Sequence, residues 1–161
     1  MLRPIVVLLA LMPAPALAQG IFDPASGGAV CYVRHYSEAH LAGHKEQQVT
    51  QIGVVLDRSQ ADSDPVLRLE FWLRPGERRA EITACCTRAG RALDCEVEGD
   101  AGNFRIEPGK GGALLMSVGE QGIGLEDERG FVTLNADRGD DREFLIPPQD
   151  GMACTGFSGA G

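Results

Sequence analysis

The chain has 161 residues, 15 Lys and Arg against 23 Asp and Glu, and a formal net charge of −8. That balance favours solubility and argues against nucleic acid or anionic lipid as a partner. With 24% charged and 43% hydrophobic residues, the composition is that of a globular domain, not of a disordered segment.

Residues 1–18 carry an address. Arg3 is a short positive n-region, Ile5 to Leu11 an apolar stretch, and Ala16-Leu17-Ala18 a small-residue cleavage site, so Gln19 is the expected mature N-terminus. The apolar run, broken by Pro13 and Pro15, is too short to span a bilayer. The expectation is an exported protein with no membrane span. Residues 19–161 form one domain, with 14 basic residues against 23 acidic ones, and that length suffices for a proper core.

The first strand is expected over Ala29 to His35. Ser37 to His44 then reads as a short helical segment: Ser37 is a suitable N-cap, Glu38 suits the first turn, and Gly43 ends it early. Beyond it the apolar period is mostly two. Ile52, Val54 and Leu56 share a face. So do Leu67, Leu69, Phe71 and Leu73, then Ala80, Ile82, Ala84 and Cys86, then Leu93, Cys95 and Val97. Further strands are expected at 104–106, 113–118, 122–126, 131–135 and 142–146. Turn signals such as Asp64-Pro65, Pro75-Gly76, Ala89-Gly90, Pro108-Gly109 and Arg129-Gly130 recur between them. The tail from Asp150 is Gly-rich and expected to fray after Cys154. This pattern predicts an all-β, antiparallel β-barrel of calycin-like architecture with one short helical segment; a β-sandwich is the alternative. The lipocalin GxW signature is absent around Trp72.

All five cysteines follow the export signal, and an oxidising compartment favours disulfides. Five is odd, and there is no CxxC. Cys31 in the first strand and Cys154 just after the last are expected to be joined, since those strands are neighbours in a closed up-and-down barrel. Cys95 is expected to pair across the hairpin at Ala89-Gly90 with Cys85 or Cys86. A two-residue turn at 89–90 sets Cys95 opposite Ala84, and a three-residue turn sets it opposite Cys85. The core phase that Cys95 shares with Leu93 and Val97 favours Cys86.

The three histidines, His35, His40 and His44, fall within ten residues of one another. Positions 40 and 44 of a helical turn share a face, and His35 at the strand end offers a third nitrogen, a donor set suited to zinc or copper. The plainer reading is that they are ordinary polar residues hydrogen-bonded locally. The zinc-protease pattern HExxH is absent, because Leu41 follows His40. Asn135 to Asp141 is acidic, but it lacks the glycine and the closing glutamate of an EF-hand loop.

Cys31-Tyr32, Arg34, Tyr36, His40-Leu41-Ala42, His44, Gln47 and Val49, together with Cys95 to Asp100 and Gly122 to Glu126, form a pattern that resembles small exported bacterial proteins of unknown function. The resemblance touches about half of the mature chain. It implies bacterial export, hence the periplasm, and carries no known activity.

No GxSxG elbow or P-loop is present. Trp72 is in phase with Arg68 and Glu70; with the Leu67 face as core it points outwards, where a lone Trp can anchor a partner. The expected function is therefore a non-enzymatic periplasmic binding or interaction module for a small ligand or a protein partner. The alternatives are a zinc- or copper-binding protein using His35, His40 and His44, and a hydrolase without a recognisable motif.

Overall fold

The computed structural model describes residues 31–57, 64–76, 78–135, 137 and 139–149. The export signal, the mature N-terminus at Gln19, Cys154 and the Gly-rich tail lie outside the described residues. The elements run β1 Cys31–His35, α1 Glu38–Gly43, β2 Val49–Asp57, β3 Val66–Leu73, β4 Arg78–Ala89 and β5 Ala92–Val97. They continue β6 Gly102–Pro108, β7 Leu114–Asp127, β8 Gly130–Leu134, β9 Glu143–Ile146 and β10 Pro148–Gln149. Every strand pairing is antiparallel, in the order β10-β1-β2-β3-β4-β5-β6-β7-β8, with β9 on β7. The fold is thus an all-β antiparallel sheet of ten strands with one helix. No helix among the described residues is long and apolar enough to cross a membrane.

The sheet exists because one side of each strand is apolar. Leu67, Leu69, Phe71 and Leu73 of β3 are buried, and so are Ala80, Ala84 and Cys86 of β4 beside them. The same face continues through Leu93, Phe104, Ile106, Met116 and Ile146 into a single core cluster. Phe71 of β3 meets Phe144 of β9 edge to face, with ring centroids 6.5 Å apart. Such pairs add about 0.5–1.5 kcal/mol to the burial of their area. The strands contact this core through the period-two alternation visible in the sequence.

Two expectations change in detail. Residues 113–118 and 122–126, read as separate strands, form the single strand β7. Gly122 inside it has φ +76° and leaves no room for a Cβ beside the Leu134 carbonyl oxygen, 2.6 Å away. The chain therefore bends at a glycine without leaving the sheet. The β4–β5 turn is Gly90-Arg91, one residue later than Ala89-Gly90, because Ala89 pairs with Ala92. This register sets Cys86 opposite Cys95 and allows the disulfide between them. Cys85 is a free, exposed thiol on the other face. Cys31 is disulfide-bonded; Cys154, its expected partner, lies outside the described residues.

β9 and β10 are separated only by Pro147, yet β9 pairs with β7 and β10 pairs with β1. The Val33 N–H donates to the Pro147 carbonyl at 3.1 Å. One short segment therefore touches β7 and β1, each next to an end of the sheet order.

The Cys86–Cys95 bond spans a sequence separation of 9. For such a loop the chain-entropy relation gives about 2–3 kcal/mol. Cys95→Ala is expected to lower the unfolding free energy by about that amount. It should also add one titratable thiol in non-reducing denaturant, and an unchanged thiol count would exclude the bond.

Candidate functional site

Helix α1 buries no side chain, and six residues are too few to be stable alone. Polar contacts hold it instead. The Ser37 Oγ caps its start by accepting from the His40 N–H at 3.3 Å. Its end and the segment after it are gripped by Arg74, which donates to the carbonyls of Leu41 (3.3 Å), His44 (2.5 Å) and Gln47 (2.6 Å). Two buried polar side chains complete the anchor. Gln47 donates to the Val49 carbonyl at 2.7 Å, and Asp141 accepts from the N–H groups of Gln48 and Val49 at 2.5 and 3.1 Å. Burial pushes the Asp141 carboxyl above its ordinary value, opposed by the Gln48 and Val49 hydrogen bonds; nearby Asp140 raises it further and Arg74 lowers it.

The histidines divide between two places. Tyr36, His40 and His44 stack in a row, with centroids 4.8 and 4.2 Å apart, and Arg34 lies 5.2 Å over the Tyr36 ring. His40 Nε2 contacts Gln47 Oε1 at 2.9 Å, and His44 Nδ1 lies 3.6 Å from Asp140. The two imidazoles are within 15° of parallel, so their in-plane lone pairs do not converge on one point. His35 shares the phase of Cys31 and Val33, the face of β1 opposite to the core-facing Tyr32. Among the described residues no group of three or more His, Cys, Asp or Glu is placed to hold one metal ion. Asp141 of the acidic stretch points to backbone N–H groups. Trp72 lies on the outward face as expected but is half-buried, with the Arg79 guanidinium 5.4 Å over its ring.

A groove of about 500 Å³ lies between β3–β4 and β7–β8, lined by outward side chains and also by Leu69, Ile82, Val97 and Ala101 of the core side. Its wall on one side is β3 and β4, which contribute Arg68, Glu70, Glu81 and Thr83. Glu98, Gly99 and Ala101, from the β5–β6 turn, form one end, and Gly124, Glu126 and Phe131 of β7 and β8 form the other wall. Phe131 is 66% exposed. Its ring lies against Gly124, where a Cβ would stand 2.5 Å from the Phe131 Cζ; only glycine admits that close approach. Arg78 of β4 joins Asp127 of β7 through two hydrogen bonds of 2.5 and 2.8 Å, tying the two walls together. This bonding, helped by the Arg129 N–H, holds the Asp127 carboxyl at about 2. A second groove, of about 520 Å³, contains Cys85, Thr87, Asp94, Asn103 and Ser117 on the same outer side.

Sequence reasoning did not single out Glu70, Glu81 or Phe131. The signal was present for Phe131: it alternates with Val132 and Leu134, so a core-facing Leu134 turns Phe131 outwards. Nothing in the pattern distinguishes Glu70 from a solvated carboxylate, although it is 2% exposed.

Two outcomes follow from the polar contacts. Because the Asp127 carboxyl is depressed in the folded state, its stabilisation is present above the ordinary carboxylate value and is lost as pH falls from about 4 towards 2. Arg78→Ala should flatten that acid limb in pH-dependent thermal unfolding. Asp141 has the opposite sign: with its carboxyl raised, its titration favours folding below the ordinary value and ceases to as pH rises through the raised one. Asp141→Ala leaves two backbone N–H groups unpaired and should cost about 2 kcal/mol or more in denaturant unfolding, with Asp141→Asn costing less.

Comparison of this chain with family models, with curated proteins and with solved structures finds no match in any of the three.

Proposed function

We propose that the protein is a non-enzymatic binding module of the periplasm, and that its ligand occupies the groove between β3–β4 and β7–β8. The observation that carries this reading is an open concave space beside a filled interior. The interior is filled by close-packed side chains, Phe71, Phe144, Leu67 and Met116 among them. Between β3–β4 and β7–β8 lies a concave space of about 500 Å³ with an exposed phenylalanine in its wall. Exposed aromatic surface in a groove of small-molecule size is the usual form of a binding site. The periplasmic location rests on residues 1–18 and on the cysteine usage. The barrel reading is supported by the segment 143–149, which pairs with β7 and then with β1; in small closed barrels the interior is likewise filled by side chains.

Native mass spectrometry of protein purified from the periplasm tests this directly. The expected result is a retained ligand or partner that is lost in Phe131→Asp while the fold survives. A retained zinc or copper ion that disappears in His40→Ala/His44→Ala would replace this reading with the metal-binding one.

A further inference from the structure

We propose that the groove takes a small organic cation, an ammonium or guanidinium group carried on an apolar body. This rests on the reading of the groove as the ligand site and adds the chemistry of what fills it.

The charges come first. Glu70 and Glu81 are direct cross-strand neighbours on the outer face of β3 and β4, and like charges in that position oppose each other. Glu70 is almost wholly buried, with Arg79 ion-paired at its Oε1 and no hydrogen-bond partner on its Oε2. The Arg79 guanidinium is ion-paired with Glu70 but is also 3.4 Å from Glu81 and lies over the Trp72 ring. Among the described residues, one guanidinium therefore serves two carboxylates. Arg68, the cation inside the groove, is itself ion-paired with Asp57 at 3.3 Å. Glu98 and Glu126 bring two more carboxylates from the other sides of the groove.

A buried carboxylate oxygen without a hydrogen bond is the costly arrangement. A ligand N–H cation placed beside Glu81 and reaching the Glu70 Oε2 supplies the missing donor as a charge-assisted bond. An anion would meet four carboxylates, and a neutral molecule would leave the excess charge in place.

The rest of the groove describes the body of the ligand. Phe131, packed against Gly124, offers aromatic surface, and Val97, Ile82 and Ala101 line the space beside it. An aromatic or aliphatic body can lie there, and a cationic head passing over the ring gains a cation–π contribution. The volume of about 500 Å³ falls within the range of about 300–1,000 Å³ typical of small-molecule sites.

The test uses the purified mature protein and three probes of one shape: 2-phenylethylamine, 2-phenylethanol and 3-phenylpropionate. Binding is read by calorimetric titration and by emission of Trp72, the single tryptophan. The amine is expected to bind, the alcohol more weakly, and the carboxylate not at all. Glu81→Gln should weaken the amine roughly five- to tenfold and leave the alcohol unchanged, the loss of one charged partner. Glu70→Gln should do the same. Should that buried substitution prevent folding, the exposed Glu81→Gln decides alone. Phe131→Ser should weaken amine and alcohol alike.

Equal affinity for the three probes, or an amine affinity unchanged in Glu81→Gln, overturns the cation proposal. If Phe131→Ser still lowers binding in that case, the groove remains a ligand site and only its charge preference is wrong. If no probe binds and a basic peptide does, the small-molecule class is wrong. If no variant alters binding of any probe or of the ligand retained on purification, the groove reading falls as well.

Discussion

Phe71 on β3 and Phe144 on β9 meet edge to face, and much of the molecule is arranged around that contact. The two residues are far apart in sequence, and their contact brings the segment from Asp141 to Gln149 against the strands that precede it. Once Phe144 is seated, Asp141 reaches the N–H groups of Gln48 and Val49. The same chain then runs from β9 on β7 to β10 on β1 through Pro147. Apolar burial supplies the free energy, and its geometry decides which polar groups are brought into hydrogen-bonding range.

A filled interior leaves chemistry to the outside. The inward row of Leu67, Leu69, Phe71 and Leu73 has no polar atoms to offer beyond the backbone. The outward row of the same strand, Arg68, Glu70 and Trp72, carries charge and an indole. The sheet thus separates stability from recognition residue by residue, since successive side chains go to opposite faces. Substitutions at odd positions of β3 act on folding, and those at even positions on the surface, apart from Glu70, whose burial places it in both classes.

The strands were legible because their period is two and their apolar residues are β-branched, aromatic or leucine. The helix was legible from Ser37, Glu38 and Gly43. The core phase of Cys86 and Cys95 indicated their pairing, whereas the turn between them was misplaced by one residue, because Ala89 can equally end a strand or begin a turn. The groove was not legible. Its carboxylates come from β3, β4, the β5–β6 turn and β7, and only the register and the bend at Gly122 bring them to one place. The histidines show the converse. Their closeness in sequence suggested one site, but a strand end turns alternate residues to opposite faces, and His35 leaves the other two.

Arg74 holds the segment from α1 to β2 by main-chain oxygens alone: the carbonyls of Leu41, His44 and Gln47. Every residue type has a carbonyl, so this grip does not depend on which side chains occupy those three positions. The planar fork of guanidinium donors is what matters, and a lysine ammonium cannot reproduce its spread. This part of the anchor therefore constrains position 74, while the side chains of Gln47 and Asp141 carry the rest. It leaves the surface of the helical segment open to divergence, so that related chains can present different side chains there on an unchanged support.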